Sequence, residues 1–574
     1  MRVADLWVEQ WAAAGIEIAF GIPGVHNMAL FDALKRDGRI RTVIARHELG
    51  AAYMADGYYR TTGKYALVLP ITGPGLTNAL TGIAEAEGGS SGMIVVATLP
   101  RSRDVGQGRG ALHELPDQGA LVEGLVKFSL TVPRPEEAAR MMQEVLDTRF
   151  VGRAAPLYID IPYDLLDAEV SEIAPPAGEA GETGVPRAGV SPEPDVPSET
   201  GSAGPDDPLS RDNRAGEPSF PWPVYFAGDG NPSPWLGLLE GKVRSWKRPA
   251  VVVGPEAAAV APLCRELVSR WGVPALTTVA AKGVISGSDP WFAGTTWTPG
   301  VEKLLAGCDG LLAIGTRWSL RDWHREQRPG AETVLITPDP RAVRPDAALS
   351  AVVVGPLDAV LRSLLEDLPW EEAAARDGTQ AHRAHLARTA AAAEAERVVP
   401  EFDLWLRAVR HALPIDALLA VDSCLVGIAM ARYLPVLNPG GFLYPMQYCS
   451  LGFAVPVAIG AALGGAGQAV ALTGDGSLMF TLPELATAVQ EDVPLLVVVF
   501  NNRAYGSVRD NQRKAYGRTA YVELPGPNME QLAGAFGFAY QKMAWQDLPA
   551  NLWRAFPLRD RRLWEVDDSP VDTY

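Results

Sequence analysis

Short apolar, β-branched runs recur along the chain, separated by longer stretches with helical spacing. From Met1 to about Val170 the runs are Thr42–Ala45, Ala66–Ile71, Met93–Ala97 and Leu157–Ile161. Continuous apolar runs of this length, each followed by a helical segment, are the pattern of parallel strands buried on both faces. A second block, 235–370, repeats it with Ala250–Val253, Gly310–Ile314 and Thr333–Ile336, and a third, 400–574, with Leu418–Val421, Ala469–Thr473 and Leu495–Phe500. A chain of 574 residues is too long for one core. The expected fold class is α/β, with three consecutive doubly wound parallel-sheet domains: 1–170, 235–370 and 400–574.

The rhythm breaks twice. The segment 171–234, above all Ser171 to Pro221, is dense in Pro, Gly, Ser, Glu and Asp, with almost no apolar periodicity. Such a composition buries too little surface to order itself, so this segment is expected to be a linker, or else a loop draped over a domain. The Ala-rich, charged stretch 371–399 is expected to be a connecting helix.

Composition narrows the function classes. The balance of 47% hydrophobic and 21% charged residues is that of an ordinary globular chain. A net charge of −17, without a basic stripe, argues against nucleic acid as a partner. Cys264, Cys308, Cys424 and Cys449 show no CxxC spacing and are expected to be small buried apolar residues. No apolar run is long enough for a membrane span, and Asp5, Glu9 and Glu17 interrupt the N-terminal helix that a signal peptide would need, so a cytoplasmic location is expected.

The most informative segment is Gly474-Asp475-Gly476-Ser477, with Asn501-Asn502 downstream. The run AVALTGD carries Asp475 to the carboxyl end of a strand, and the glycines let backbone N–H groups approach an anion. The next strand ends at the asparagine pair. Both segments therefore lie where parallel sheets bind ligands. One carboxylate, one amide oxygen, a backbone carbonyl and phosphate oxygens would suit six-coordinate magnesium. Taken alone, GDG is a common turn and NN a common loop.

These motifs resemble the signature of the thiamine-diphosphate-dependent 2-oxo acid decarboxylases and acetolactate synthases. GIPGVHNMALFDAL, RHELGAAYMADGYYR and TGPGLTNALTGIAEA resemble the family's pyrimidine-binding domain, and GCDGLLAIGTRWS its central domain, so the resemblance covers nearly the whole chain outside 171–234. It implies Asp475, Asn502 and the Ala504 carbonyl as ligands of Mg2+. It places Ser423, Cys424, Cys449, Leu451, Gly474, Gly476, Ser477 and Tyr505 around thiamine diphosphate, with Leu451 under the bent cofactor and the Cys449 carbonyl at its amino group. It makes Glu48 the group that bonds the pyrimidine nitrogen and so promotes ylid formation; apart from the resemblance, Glu48 reads as a solvated residue at a helix start. The resemblance also implies a homodimer or dimer of dimers with sites at the subunit interface. FAD in the central domain is not supported by any motif, and no GxGxxG opens a helix as a nicotinamide site would require.

The substrate side differs from the best-known members. GRGALHELPDQ has Leu112-His113-Glu114 where acetolactate synthases show Phe-Gln-Glu, no His-His dipeptide occurs, and Val508 stands where pyruvate decarboxylases carry a glutamate. The pairing of GIPGVH with this run is most similar to 5-guanidino-2-oxopentanoate decarboxylases. His26, His113 and Glu114 are the candidates facing the substrate, with Glu114 as partner for a cationic tail. The expected function is non-oxidative decarboxylation of a 2-oxo acid through an enamine. The alternatives are an acetolactate-synthase-like carboligase and a non-catalytic cofactor-binding paralogue. The last strand is expected near Leu563–Val566, with too short a tail behind it to cover the site as in many relatives.

Overall fold

A computed structural model describes residues 1–170, 221–227, 233–323, 329–343, 348–368, 370, 379–398 and 402–567. They form three parallel sheets. The first contains β1 (Ile18–Gly21), β2 (Arg41–Ile44), β3 (Ala66–Leu69), β4 (Met93–Leu99), β5 (Phe128–Thr131) and β6 (Leu157–Pro162), in the order β2-β1-β3-β4-β6-β5. The second contains β7 (Val224–Phe226), β8 (Pro249–Val253), β9 (Ala275–Thr277), β10 (Phe292–Thr295), β11 (Gly310–Ile314), β12 (Glu332–Thr337) and β13 (Ala351–Val354), ordered β10-β9-β8-β11-β12-β13-β7. The third contains β14 (Ala417–Val421), β15 (Phe442–Leu443), β16 (Gln468–Gly474), β17 (Leu495–Asn501), β18 (Ala539–Ala544) and β19 (Arg561–Asp567), ordered β15-β14-β16-β17-β19-β18.

The first and third sheets share one strand order, and the middle sheet has the dinucleotide-fold order with an extra edge strand. That edge strand corrects the expected linker 171–234. Val224–Phe226 pair in parallel with Val352–Val354, and a helix already begins at Ser233. Residues 171–220 lie outside the described residues. The expected connecting helix is present as Gln380–Val398, while 371–378 and 399 lie outside the described residues.

The first and third units share a single core. Tyr53, Met54 and Tyr58 of the helix Glu48–Thr62 pack with Phe453, Val457 and Ile459, the last two from the helix Ala454–Leu463. Backbones touch at this crossing: a Cβ on Gly57 would lie 2.2 Å from the Val457 carbonyl oxygen, and one on Gly460 1.9 Å from that of Met54. Of the cysteines, all unpaired, only Cys264 is the expected buried apolar residue. Cys308, Cys424 and Cys449 are partly exposed, and their sulfurs contact Arg383, the Gly427 N–H and Arg321 respectively. No helix among the described residues is long and apolar enough to cross a membrane.

Candidate active site

The register of β16 and β17 builds the anion cradle. Gly474 pairs with Phe500, so Asp475 and the asparagine pair emerge side by side at the carboxyl end of the sheet. A cavity opens there. Its walls include Ser423, Cys424, Leu451, Gly474, Asp475, Gly476, Ser477, Asn502, Ala504 and Tyr505, all expected, together with Leu425, Val426, Phe500, Gly506, Ser507 and Val508, which the motifs do not single out. Cys449 is not on the wall. Glycine is required for this shape: a Cβ on Gly476 would stand 2.9 Å from the Tyr505 ring, and one on Gly506 2.5 Å from Asn502 Nδ2.

Among the described residues, no three His, Cys, Asp or Glu side chains cluster tightly enough to hold a metal. What the cavity offers is one carboxylate (Asp475), one amide oxygen (Asn502) and the Ala504 carbonyl. That set leaves a hard cation to take its remaining oxygens from a phosphate ligand, so the residues fit a magnesium diphosphate. Burial pushes the Asp475 carboxyl up, against the pull of backbone N–H groups including those of Gly476, Asn502 and Arg503. The two asparagines have separate roles. Asn501 donates to Glu565 at 2.8 Å, and Glu565 also accepts from the Tyr540 hydroxyl at 2.6 Å, which fixes the strand end. Asn502 alone reaches the cavity. Asp422, at the head of the expected diphosphate loop, is structural: its buried carboxylate accepts from the N–H of Phe453 (2.7 Å) and from the Thr473 hydroxyl (2.6 Å), and burial pushes it up to about 6.

Glu48 starts a helix, as expected, but it is not solvated. It is 6% exposed, and its Oε2 accepts from Asn78 Nδ2 at 3.0 Å. The turn before it is seated by Glu484, from the third unit, whose carboxylate accepts the N–H groups of Arg46 (3.1 Å) and His47 (3.0 Å). Gly50 makes room, since a Cβ there would lie 2.2 Å from Glu484 Oε1. Glu484 follows the GDGS motif in the TLPEL run, and only the fold shows its partner. Within one chain Glu48 does not line the cradle; every wall residue comes from the third unit.

The structure brings His26 and His113 together. Their ring centroids are 5.4 Å apart, edge to face, and His26 stacks on Tyr163 at 4.6 Å. His26 Nδ1 lies 2.9 Å from Thr72 Oγ1, and burial, then the neighbouring His113, lowers its pKa. His113 holds a left-handed backbone conformation, φ 62°, and its Nδ1 is buried without a hydrogen-bond partner. A buried nitrogen left unpaired is costly, which fits a site that completes it with a ligand. Gln118 braces the floor: it accepts the Gly73 N–H at 3.0 Å and donates to the Thr98 carbonyl at 3.0 Å. Tyr163 and Thr72 carried no signal in the sequence. Glu114 uses its two oxygens locally, accepting the N–H groups of Gly108 (3.1 Å) and Ala111 (2.9 Å), so it shapes the loop before His113.

Comparison with known proteins agrees with this geometry. Residues 1–121 match the N-terminal TPP binding domain of thiamine pyrophosphate enzymes, 242–364 their central domain, and 423–562 their C-terminal TPP binding domain. The chain is 31% identical to the Pseudomonas aeruginosa protein named Probable 2-ketoarginine decarboxylase AruI, over 92% of this chain and 87% of that one. It is 25% identical to the acetolactate synthase large subunit of Haemophilus influenzae (99% and 94%), and 26% identical to the sulfoacetaldehyde acetyltransferase of Alcaligenes xylosoxydans (94% and 87%).

Proposed function

The chain belongs to the thiamine pyrophosphate enzyme family, and from that premise we propose that it is a magnesium-dependent 2-oxo acid decarboxylase whose active site is closed by a second copy of the chain. One observation carries the proposal. A buried Glu48 and a histidine pair with one unpartnered nitrogen, His113 Nδ1, stand on the first unit, whereas the cavity proposed to receive the diphosphate on the third unit has no wall from the first. Each half is rimmed by bare apolar side chains: Val25, Met28 and Leu112 near the histidines, and Met479, Phe480 and Val508 near the cradle. Exposed apolar groups of this kind mark an interface.

When bound, thiamine diphosphate supplies the electron sink that accepts the electron pair released as carbon dioxide leaves. The protein's part follows from the groups in place. Asp475, Asn502 and the Ala504 carbonyl would hold the metal. The Gly474–Ser477 turn would receive the diphosphate, and Leu451 would support the rings. Glu48 would bond the pyrimidine nitrogen from the partner copy. His26 and His113 would hold or deliver a proton at the reacting carbon.

The relative named for 2-ketoarginine makes 5-guanidino-2-oxopentanoate the first substrate to try. The test is a panel of 2-oxo acids, this one and pyruvate included, assayed for carbon dioxide release and product with cofactor and magnesium present. Release with an aldehyde one carbon shorter supports the decarboxylase. A product joining two substrate skeletons supports the carboligase reading that the acetolactate synthase relatives favour. Bound cofactor with no release from any acid would leave the non-catalytic reading.

A further inference from the structure

The loop that carries Cys449 and Leu451 is gripped from both sides by groups that no role above uses. Ser450, between them, donates its hydroxyl to Glu85 Oε2 at 3.1 Å and accepts from the Tyr53 hydroxyl at 2.6 Å. Tyr53 also reaches the Leu451 carbonyl at 3.5 Å. From the central unit, Asp322 accepts from Gln447 Nε2 at 2.8 Å, and Arg321 donates to the Cys449 sulfur at 2.9 Å. Cys449 itself is held at φ 57°, a conformation rare for a residue with a side chain.

Glu85 is the anomaly in this clamp. It is fully buried, and its Oε1 has no hydrogen-bond partner. Its neighbours are Asp56 and Arg60, which pair with each other at 2.7 Å, so two carboxyl groups face one guanidinium. A fold gains nothing in stability from such a group, because an apolar side chain of equal size would be cheaper to bury. Burial, opposed chiefly by Arg60, moves Glu85 up to about 7. The other charged or titratable groups around it are Tyr53 on the Glu48 helix, the Cys449 thiol with Arg321 behind it, and Asp422 beyond Tyr53.

We infer that Glu85 is a positioning residue: as a carboxylate it accepts the Ser450 hydroxyl and so sets the Cys449–Leu451 loop in the shape that receives the cofactor. The inference rests on the reading that this loop meets the cofactor's rings. The chain of donors runs one way, from Tyr53 to Ser450 to Glu85, and ends best on an ionised carboxylate, the stronger acceptor. Protonation of Glu85 leaves the Ser450 hydroxyl only a neutral carboxyl oxygen to donate to, a weaker acceptor than the carboxylate, and the loop loosens. A charge-assisted bond is roughly twice as strong as a neutral one, so loop and cofactor both favour the ionised form.

The test uses the full chain, titrated with thiamine diphosphate at saturating magnesium and read by tryptophan fluorescence and by thermal shift, at pH 6 and pH 8. The native protein should bind about five- to tenfold more weakly at pH 6. Glu85→Gln, isosteric but unable to ionise, should bind at both pH values about as the native protein does at pH 6, with a pH ratio of about twofold or less. Ser450→Ala, which removes one hydroxyl and carries the test if the glutamine variant does not fold, should flatten the ratio in the same way. At saturating cofactor, turnover should change less than cofactor affinity. A pH ratio in Glu85→Gln equal to that of the native protein, or native affinity at pH 8 in Ser450→Ala, overturns the inference and leaves the cofactor reading intact. Failure of the native protein to bind at either pH overturns both.

Discussion

The rings of His26 and His113 meet edge to face with their centroids 5.4 Å apart, one on the turn after β1 and the other in the loop between β4 and β5. The chain has no His-His dipeptide, and the fold assembles a pair from two distant loops, with one nitrogen of His113 left open. Alanine at either position should leave cofactor affinity nearly unchanged and lower turnover by roughly 10²–10⁴-fold. Parallel loss of cofactor binding would make the pair structural. His26 also predicts a pH effect. Its folded pKa lies below the usual histidine value, so between the two the unfolded chain binds more protons and stability falls as pH drops. His26→Gln should remove that part of the acid sensitivity in thermal unfolding below about pH 6.5.

Glu48 and Asp475 belong to different halves of the proposed site. Glu48→Gln should keep cofactor binding and lose roughly 10²-fold or more in turnover. Asp475→Ala should instead lose magnesium-dependent binding. Neither variant alone has an intact site, but mixed dimers contain one, so combining the two inactive proteins should restore part of the activity. A fully active monomer in sedimentation would sink the shared-site arrangement.

The crossing of the Glu48 helix with Ala454–Leu463 leaves no space for a methyl group. Gly460→Ala places a Cβ within 1.9 Å of the Met54 carbonyl oxygen, and denaturant unfolding should show a loss of about 1–3 kcal/mol. Gly237→Ala, in a helix with nothing within 4 Å of the new methyl, should be neutral or gain about 0.5–1 kcal/mol. Equal effects in both would mean that the close approach does not hold in solution.

The middle sheet has a dinucleotide-type strand order, and the backbone approaches itself closely at the switch point between β8 and β11. A Cβ on Gly254 would lie 2.2 Å from the Gly315 carbonyl oxygen, and the Glu256 N–H donates to that same oxygen at 3.2 Å. Glu256, raised by burial, reaches Ser90 at 3.2 Å, and Glu87 pairs with Arg317 at 3.1 Å beside it. Among the described residues these contacts crowd the switch point, and we predict that no flavin binds there. Purified protein should show no flavin absorbance, and added FAD should leave the melting temperature unchanged; a stoichiometric shift would refute this.

The three parallel sheets were legible in the sequence. Central parallel strands are buried on both faces, so β4, β11, β16 and β17 stand out as unbroken apolar runs. The turns that carry Asp475 and Asn502 to neighbouring strand ends were equally legible, because they depend on residues local to β16 and β17. Edge strands were not: β5, β7 and β18 are half exposed, and they lack the run that identifies a strand. For β7 that loss placed it in the expected linker. Packing alone sets Asn501 on Glu565, turns the oxygens of Glu114 onto its own loop, brings His26 to His113 and Tyr163, and ends a hydrogen-bond chain from Ser450 on Glu85. Each of these depends on where two side chains distant in the chain come to rest, a matter of packing and partner choice that no local pattern of apolar and polar residues encodes.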